Sequence, residues 1–181
     1  MISIVVGFAR RGRLRSLGRI PLRHTFLFVL PFLLFAAIVT IAHGNPDLKP
    51  FVKAGNVIQY VLLLTAIGLN LHVREMLVAG VGTFLNFIAL AANGGMMPVS
   101  TVALKVAGLP NVMNGNAVRH VVLTPATHLK LLSDVVPVPL GSPYFSEVIS
   151  VGDLFVAAAI FVLIQHYMCG KVPAKEPAAG E

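Results

Sequence analysis

The chain has 181 residues, of which 56% are hydrophobic and only 12% charged, and its mean hydropathy is +0.84. Soluble domains usually contain about 25% charged residues, so this composition excludes the soluble class and indicates a small membrane domain. The single cysteine, Cys169, excludes a disulfide scaffold and any multi-cysteine zinc site.

Four apolar segments without a charged residue predict four transmembrane helices. They are residues 25–42, 57–71, 76–92 and 154–168. As a helix, the first would be roughly 27 Å long, close to the ~30 Å hydrocarbon core. Residues 1–9 are apolar too, but about 14 Å of helix cannot cross a bilayer, which leaves an interfacial amphipathic segment or a partial helix. The expected fold is an all-α integral membrane protein with a long exterior loop that contains short helices.

The basic residues predict the orientation of these helices. Nine lie on one side and only Lys49 and Lys53 lie in the short loop on the other side. The nine are Arg10, Arg11, Arg13, Arg15, Arg19, Arg23, Arg74, Lys171 and Lys175. The positive-inside rule therefore predicts a multi-pass protein of the cell membrane with both termini in the cytoplasm. We expect the segment from Arg10 to Arg23 to contact anionic lipid, which explains the net charge of +7 without nucleic-acid binding.

This topology divides the chain into five parts. They are a basic cytoplasmic segment 1–24, three transmembrane helices in 25–92, an exterior loop region 93–150 packed on the membrane side, a fourth helix 151–170 and a cytoplasmic tail 171–181.

The exterior loop has its own pattern. Val99, Val102, Ala103 and Val106 recur at helical spacing and predict a short helix, which the stretch Asn111–Asn116 breaks. A second short helix is expected over residues 126–133. Pro137, Pro139 and Pro143 then predict extended or turning chain. A loop of this length is usually functional or a docking surface.

Four short motifs in this sequence resemble those of an uncharacterised family of small bacterial membrane proteins, a domain of unknown function. Asn93-Gly94-Gly95-Met96-Met97-Pro98 is similar to its Asn-Gly-Gly-x-Met-Pro signature, although Met96 stands where a basic residue is expected. Asp134-Val135-Val136-Pro137, Ser150-Val151-Gly152-Asp153 and Arg11-Gly12-Arg13-Leu14 resemble three further elements. The resemblance covers roughly residues 1–170 and brings no established activity, cofactor or substrate.

Each motif also has a structural interpretation. Asn93, Gly94 and Gly95, with Pro98 after them, are typical of a helix end, although two glycines would also let the backbone approach a ligand closely. Ser150 and Asp153 are spaced as a helix cap, with proton transfer by Asp153 as the alternative.

Asp134 stands among apolar neighbours in the exterior loop. Burial would raise the pKa of its carboxyl unless a cation paired with it, and we expect a salt bridge with Arg119, His120 or Lys130. We also expect the loop to fold back over the helix ends and to bring Asp134 towards the turn that starts at Asn93.

The six histidines allow a cofactor hypothesis. His72 and His166 are the most suitable pair for binding haem, a pigment or a quinone near the cytoplasmic face, while histidines at helix ends also serve as polar anchors. The identity of any cofactor stays open. No spacing in the chain predicts a metal site.

The first functional hypothesis is a non-catalytic accessory or scaffold subunit of a larger membrane complex, since no catalytic residue is evident. Small residues from Ala79 to Thr83 would allow close packing with a partner helix, including one from a second copy of the chain. Four polar side chains inside the apolar segments would need partners: Gln59, Asn70, Asn86 and Gln165. The alternative is a small enzyme or transporter whose site lies under the exterior loop. Asp134, His120, His128 and Asp153 would then converge near Asn93.

Overall fold

The computed structural model describes residues 2–42, 46–109 and 120–170, and this part of the chain is mostly helical. Its α-helices are α1 (Ile2–Ala9), α2 (Phe26–Ala42), α3 (Lys49–Gly68), α4 (Glu75–Ala92), α5 (Thr101–Val106) and α6 (Val151–Cys169). Its short strands are β1 (Met97–Val99), β2 (His120–Val122), β3 (Val136–Val138) and β4 (Glu147–Ile149). The expected tail 171–181, the stretch Asn111–Asn116 and Arg119 lie outside the described residues.

Three of the described helices are long and apolar enough to cross a membrane. They are Pro50–Gly68 within α3, Glu75–Ala92 and Val151–Cys169. The first predicted span forms α2, which is apolar but has only 17 residues and contains Pro31. The predicted fold, mostly helical and of the membrane type, is confirmed. Helix α2 is the shortest of the four long described helices.

Helix α4 lies at the centre and packs against α3 and α6, while α2 packs mainly against α3. One buried apolar cluster joins α4 and α6 to the end of α3: Ile67, Val73, Met76, Ala79, Ala159, Leu163 and Tyr167. A second cluster, at the other end of α4, contains Ala89, Leu90 and Met97.

Two glycines set the distance between α4 and α6. A Cβ atom on Gly82 would overlap the carbonyl oxygen of Gly152 and lie 2.8 Å from the Cβ of Phe155. A Cβ atom on Gly152 would overlap the Asn86 side chain. The close helix packing that the small residues predicted is therefore present at Gly82, where the neighbouring helix is α6 of the same chain.

The N-terminal apolar segment is a partial helix that packs lengthwise against α6. The Ser3 hydroxyl donates to the Phe161 carbonyl at 3.0 Å, and Gln165 Nε2 donates to the Ser3 carbonyl at 2.6 Å. Arg10 donates to Gln165 Oε1 at 3.1 Å. Gln165 therefore has its polar partners inside the chain.

The region 93–150 contains short strands in addition to the short helices and the extended chain that the sequence predicted. Strand β1 pairs with β2 in parallel, and β3 pairs with β4 in antiparallel orientation. The first predicted helix is present as α5, which Ser100 caps. The second is reduced to one 3₁₀ turn, Lys130–Leu132, because Leu129 has a φ of 50° and stops helical backbone from forming before it.

Candidate functional site

The motif that begins at Asn93 ends α4 as predicted. Asn93 Nδ2 donates to the carbonyls of Ala89 and His128 at 2.7 and 3.0 Å, and its Oδ1 accepts from the His128 N–H at 3.0 Å. Gly94 and Gly95 follow with φ values of 67° and 80°, a conformation that favours glycine. The motif therefore stops the helix and connects it to the segment around His128.

Gly95 also brings this turn close to α3. A Cβ atom at Gly95 would lie only 2.8 Å from the carbonyl oxygen of Lys53. Asn56 Nδ2 on α3 donates to the Gly95 carbonyl at 2.8 Å. Met97 and Pro98 are buried directly after the turn. The close backbone approach that the two glycines also predicted is therefore present at Gly95, where it brings α3 against the turn at the end of α4.

Asp134 lies beside the turn that starts at Asn93, as the sequence predicted. Its N–H donates to the Pro98 carbonyl at 2.9 Å, and its own carbonyl accepts from the Ser100 N–H at 2.9 Å. The side chain is buried, and its Oδ2 is 3.3 Å from His120 Nε2. The structure therefore places His120, one of the three expected partners, in contact with the Asp134 carboxyl group. Pro137, from the same motif, lies in β3 opposite Val148.

The motif at the start of α6 forms the predicted cap and adds a link to α4. The Ser150 hydroxyl accepts from the Asp153 N–H at 3.0 Å, and Asp153 Oδ2 accepts from the Ser150 N–H at 2.9 Å. Asn86 Nδ2 on α4 donates to Asp153 Oδ1 at 2.7 Å, and the Ser150 hydroxyl lies 2.7 Å from Asn86 Oδ1. Gly152, between the two capping residues, permits this close approach.

These elements line an open cavity of about 790 Å³ between the long helices and the strands of region 93–150. One wall is a face of α6 formed by Asp153, Val156, Ala157 and Ile160. The polar or titratable lining residues are Tyr60, Asn86, His120, Asp134, Ser146, Glu147 and Asp153. Ligand sites in proteins typically measure about 300–1,000 Å³, so the cavity has the volume of a small-molecule site.

The cavity lining is rich in carboxyl groups. Asp134, Glu147 and Asp153 contribute three carboxyl groups, and no lysine or arginine is present among the described lining residues. His120 faces one of these carboxyl groups. The lining therefore suits a positively charged group better than an anion.

The predicted convergence under the exterior loop is partly present. Asp134, His120 and Asp153 all line the cavity, whereas Asn93 and His128 bind each other and are not among its lining residues. Sequence reasoning missed Glu147 and Tyr60 as lining residues. The residues of the α6 wall have the spacing of one helical face, but nothing in the sequence shows which face of α6 meets the strands of region 93–150.

The two histidines considered for a cofactor have separate protein partners. His72 Nε2 is 2.7 Å from the Pro21 carbonyl, and His166 Nδ1 is 2.7 Å from Glu75 Oε1. Within residues 2–42, 46–109 and 120–170, no group of three or more His, Cys, Asp or Glu side chains is arranged to hold a metal. The contacts of His72 and His166 are those of anchors at helix ends.

Comparison with known proteins gives a family without an assigned activity. A model described as a family of unknown function, DUF5317, matches residues 19–165. An uncharacterized protein of Thermotoga maritima is 26% identical over 153 residues, which cover 83% of this chain and 79% of the relative. No solved structure matches the chain. The expected resemblance to an uncharacterised family is confirmed.

Proposed function

We propose that this chain, which belongs to the DUF5317 family of unknown function, is a membrane protein that binds one cationic amphiphile in the cavity beneath its exterior strands. The family match and the apolar helices support the membrane assignment. The shape and lining of the cavity support the ligand class.

The observation that carries the proposal is that the α6 wall of the cavity is polar at one end and apolar along the rest of its length. Asp153 stands at its exterior end, and Val156, Ala157 and Ile160 continue the same face for about 10 Å into the helix at 1.5 Å per residue. Ala157 and Ile160 are exposed. An apolar chain therefore fits along this face, and lipid has lateral access to it.

The polar end of the cavity defines the head group. A quaternary or primary ammonium placed near Asp134, Glu147 and Asp153 would gain favourable Coulomb energy, whereas a phosphate or sulfonate would be repelled. Asp134 and Asp153 are already held in position by backbone and side-chain hydrogen bonds. The head-group site is thus formed before any ligand enters.

Two adjacent alanines on α6 provide a matched test. Ala157 lines the cavity, whereas Ala158 is also exposed and is not a lining residue. We expect dodecyltrimethylammonium to bind the purified protein in maltoside detergent, with affinity reduced at least about tenfold by Ala157→Phe and unchanged by Ala158→Phe. Isothermal titration measures both variants.

The same titration with dodecyl sulfonate tests the charge of the head group. The anionic probe has the same chain length, so a difference between the two probes reports on the polar end alone. Equal binding of both probes, or equal effects of the two phenylalanines, would contradict the proposal.

The orientation is part of the proposal. Arg10, Arg11, Arg13, Arg15, Arg19 and Arg23 are all exposed. Their concentration at one end of the helices supports a cytoplasmic N-terminal segment that contacts anionic lipid, with residues 93–150 outside the cell. The cavity then opens towards the outer leaflet of a multi-pass protein in the cell membrane.

An accessory or scaffold role is a second proposal, and it rests on α2. This helix leaves large apolar side chains exposed, including Phe26, Phe32 and Leu33, and such a surface suits lipid or a neighbouring subunit. Three of the four polar side chains for which we expected partners are hydrogen-bonded within the chain. They are Asn70, Asn86 and Gln165. Purification in mild detergent followed by mass spectrometry tests for a stable subunit.

A further inference from the structure

Among the described residues, three buried side-chain oxygen atoms near the start of α3 and the end of α4 have no hydrogen-bond partner. They are Asn56 Oδ1, Gln59 Oε1 and Ser133 Oγ. Asn56 and Ser133 are completely buried, and Gln59 is 2% exposed. Burying an unpaired polar group costs about 1–3 kcal/mol, so two such amides within one helical turn indicate a binding site.

Asn56 and Gln59 lie three residues apart on α3, so their side chains share one face of the helix. The amide of Asn56 is held in one orientation, because its Nδ2 donates to the Gly95 carbonyl. The Oδ1 atom therefore faces away from that bond and is available to a ligand. Ser133 belongs to the segment that covers this end, since its neighbour Leu132 packs on the same cluster as Val57 and Tyr60.

The electrostatics of this position favour a positive charge. Helix α4 ends beside Asn56, at Asn93, and the carbonyl end of a helix macrodipole carries about half a negative charge. Asp134 follows Ser133 directly in the chain and is buried. A carbonyl oxygen can accept a hydrogen bond or bind a cation, but it cannot donate. A ligand of these oxygens is therefore a hydrogen-bond donor or a cation.

We infer that Asn56 and Gln59, with Ser133 as the candidate third ligand, form a binding site for one alkali-metal cation, with Na⁺ as the probe. The three unpaired oxygens belong to uncharged side chains. Such ligands suit a monovalent ion better than Ca²⁺ or Mg²⁺, whose sites depend on carboxylates. The Asn-Gly-Gly turn then has a role beyond ending α4, because its Gly95 carbonyl orients Asn56. This site is separate from the amphiphile cavity, and Tyr60, next to Gln59, lines that cavity.

The test is cation-dependent thermal unfolding of the purified full chain at constant ionic strength. Choline chloride replaces NaCl, and ²²Na⁺ binding is measured in parallel. We expect saturable stabilisation by Na⁺ with one ion bound per chain, because a ligand that binds only the folded state raises the unfolding temperature. Gln59→Leu should abolish both the stabilisation and the ²²Na⁺ binding, since it removes one of the ligands and introduces no new polar atom.

Thr65→Val is the matched control on the same helix. Its hydroxyl donates to the Val61 carbonyl of its own helix, away from the site, so the Na⁺ response should persist. Equal unfolding temperatures in Na⁺ and choline, without ²²Na⁺ binding to the wild type, would show water alone at these oxygens and would overturn the inference. Retention of Na⁺ binding by Gln59→Leu would overturn it as well.

Discussion

The crossing of α4 and α6 offers the most direct test of the fold, through the substitution Gly152→Ala. The added Cβ atom would overlap Asn86 Oδ1 and lie 2.5 Å from the Gly82 carbonyl oxygen, about 1 Å closer than ordinary contact. The helices must separate, because both obstacles belong to α4. Overpacking of this kind costs about 1–3 kcal/mol.

The same movement strains the bonds that Asn86 makes with Ser150 and Asp153. Interhelical hydrogen bonds inside membrane proteins average about 0.6 kcal/mol each, so the expected loss in the free energy of unfolding is about 2–4 kcal/mol. Circular dichroism during titration with SDS in mixed micelles measures this loss.

Gly68→Ala is the control for Gly152→Ala. Gly68 is also helical, but a Cβ atom there would meet nothing within 4 Å. It should be neutral or stabilise the protein by up to about 1 kcal/mol, because alanine is the better helix former. If both variants unfold at the same SDS fraction as the wild type, the close crossing of α4 and α6 is refuted.

Three further predictions concern the surfaces of the molecule. Asn70→Leu removes both side-chain bonds to the Arg23 backbone, so tryptic cleavage of the basic segment should become about tenfold faster. A cysteine introduced by Ser142→Cys, with the native cysteine replaced, should react with impermeant reagents from outside the cell, and reaction only from the cytoplasm would reverse the topology. Asp134→Leu should speed exterior proteolysis of residues 120–140, whereas Lys130→Ala should not, and rapid cleavage there in the wild type would show that the loop is not folded back.

Local signals in the sequence were sufficient to locate three of the four long described helices and two helix ends. Apolar runs identified the positions of α2, α4 and α6, because a bilayer or an apolar core selects for length and hydrophobicity alone. The cap at Ser150 and Asp153 and the helix stop at Asn93 were also predictable, since both depend on residues within a few positions of each other.

Contacts between distant segments were decided only by the tertiary structure. Three candidate partners for Asp134 could be named from the sequence, and the parallel pairing of β1 with β2 is what places His120 beside it. It identified small residues near Gly82 as a packing surface, but only the crossing with Gly152 shows that the surface is used inside the chain. The cavity likewise depends on which face of α6 meets the strands of region 93–150. Helical periodicity determines which residues share a face, while the neighbour of that face depends on how the segments pack together.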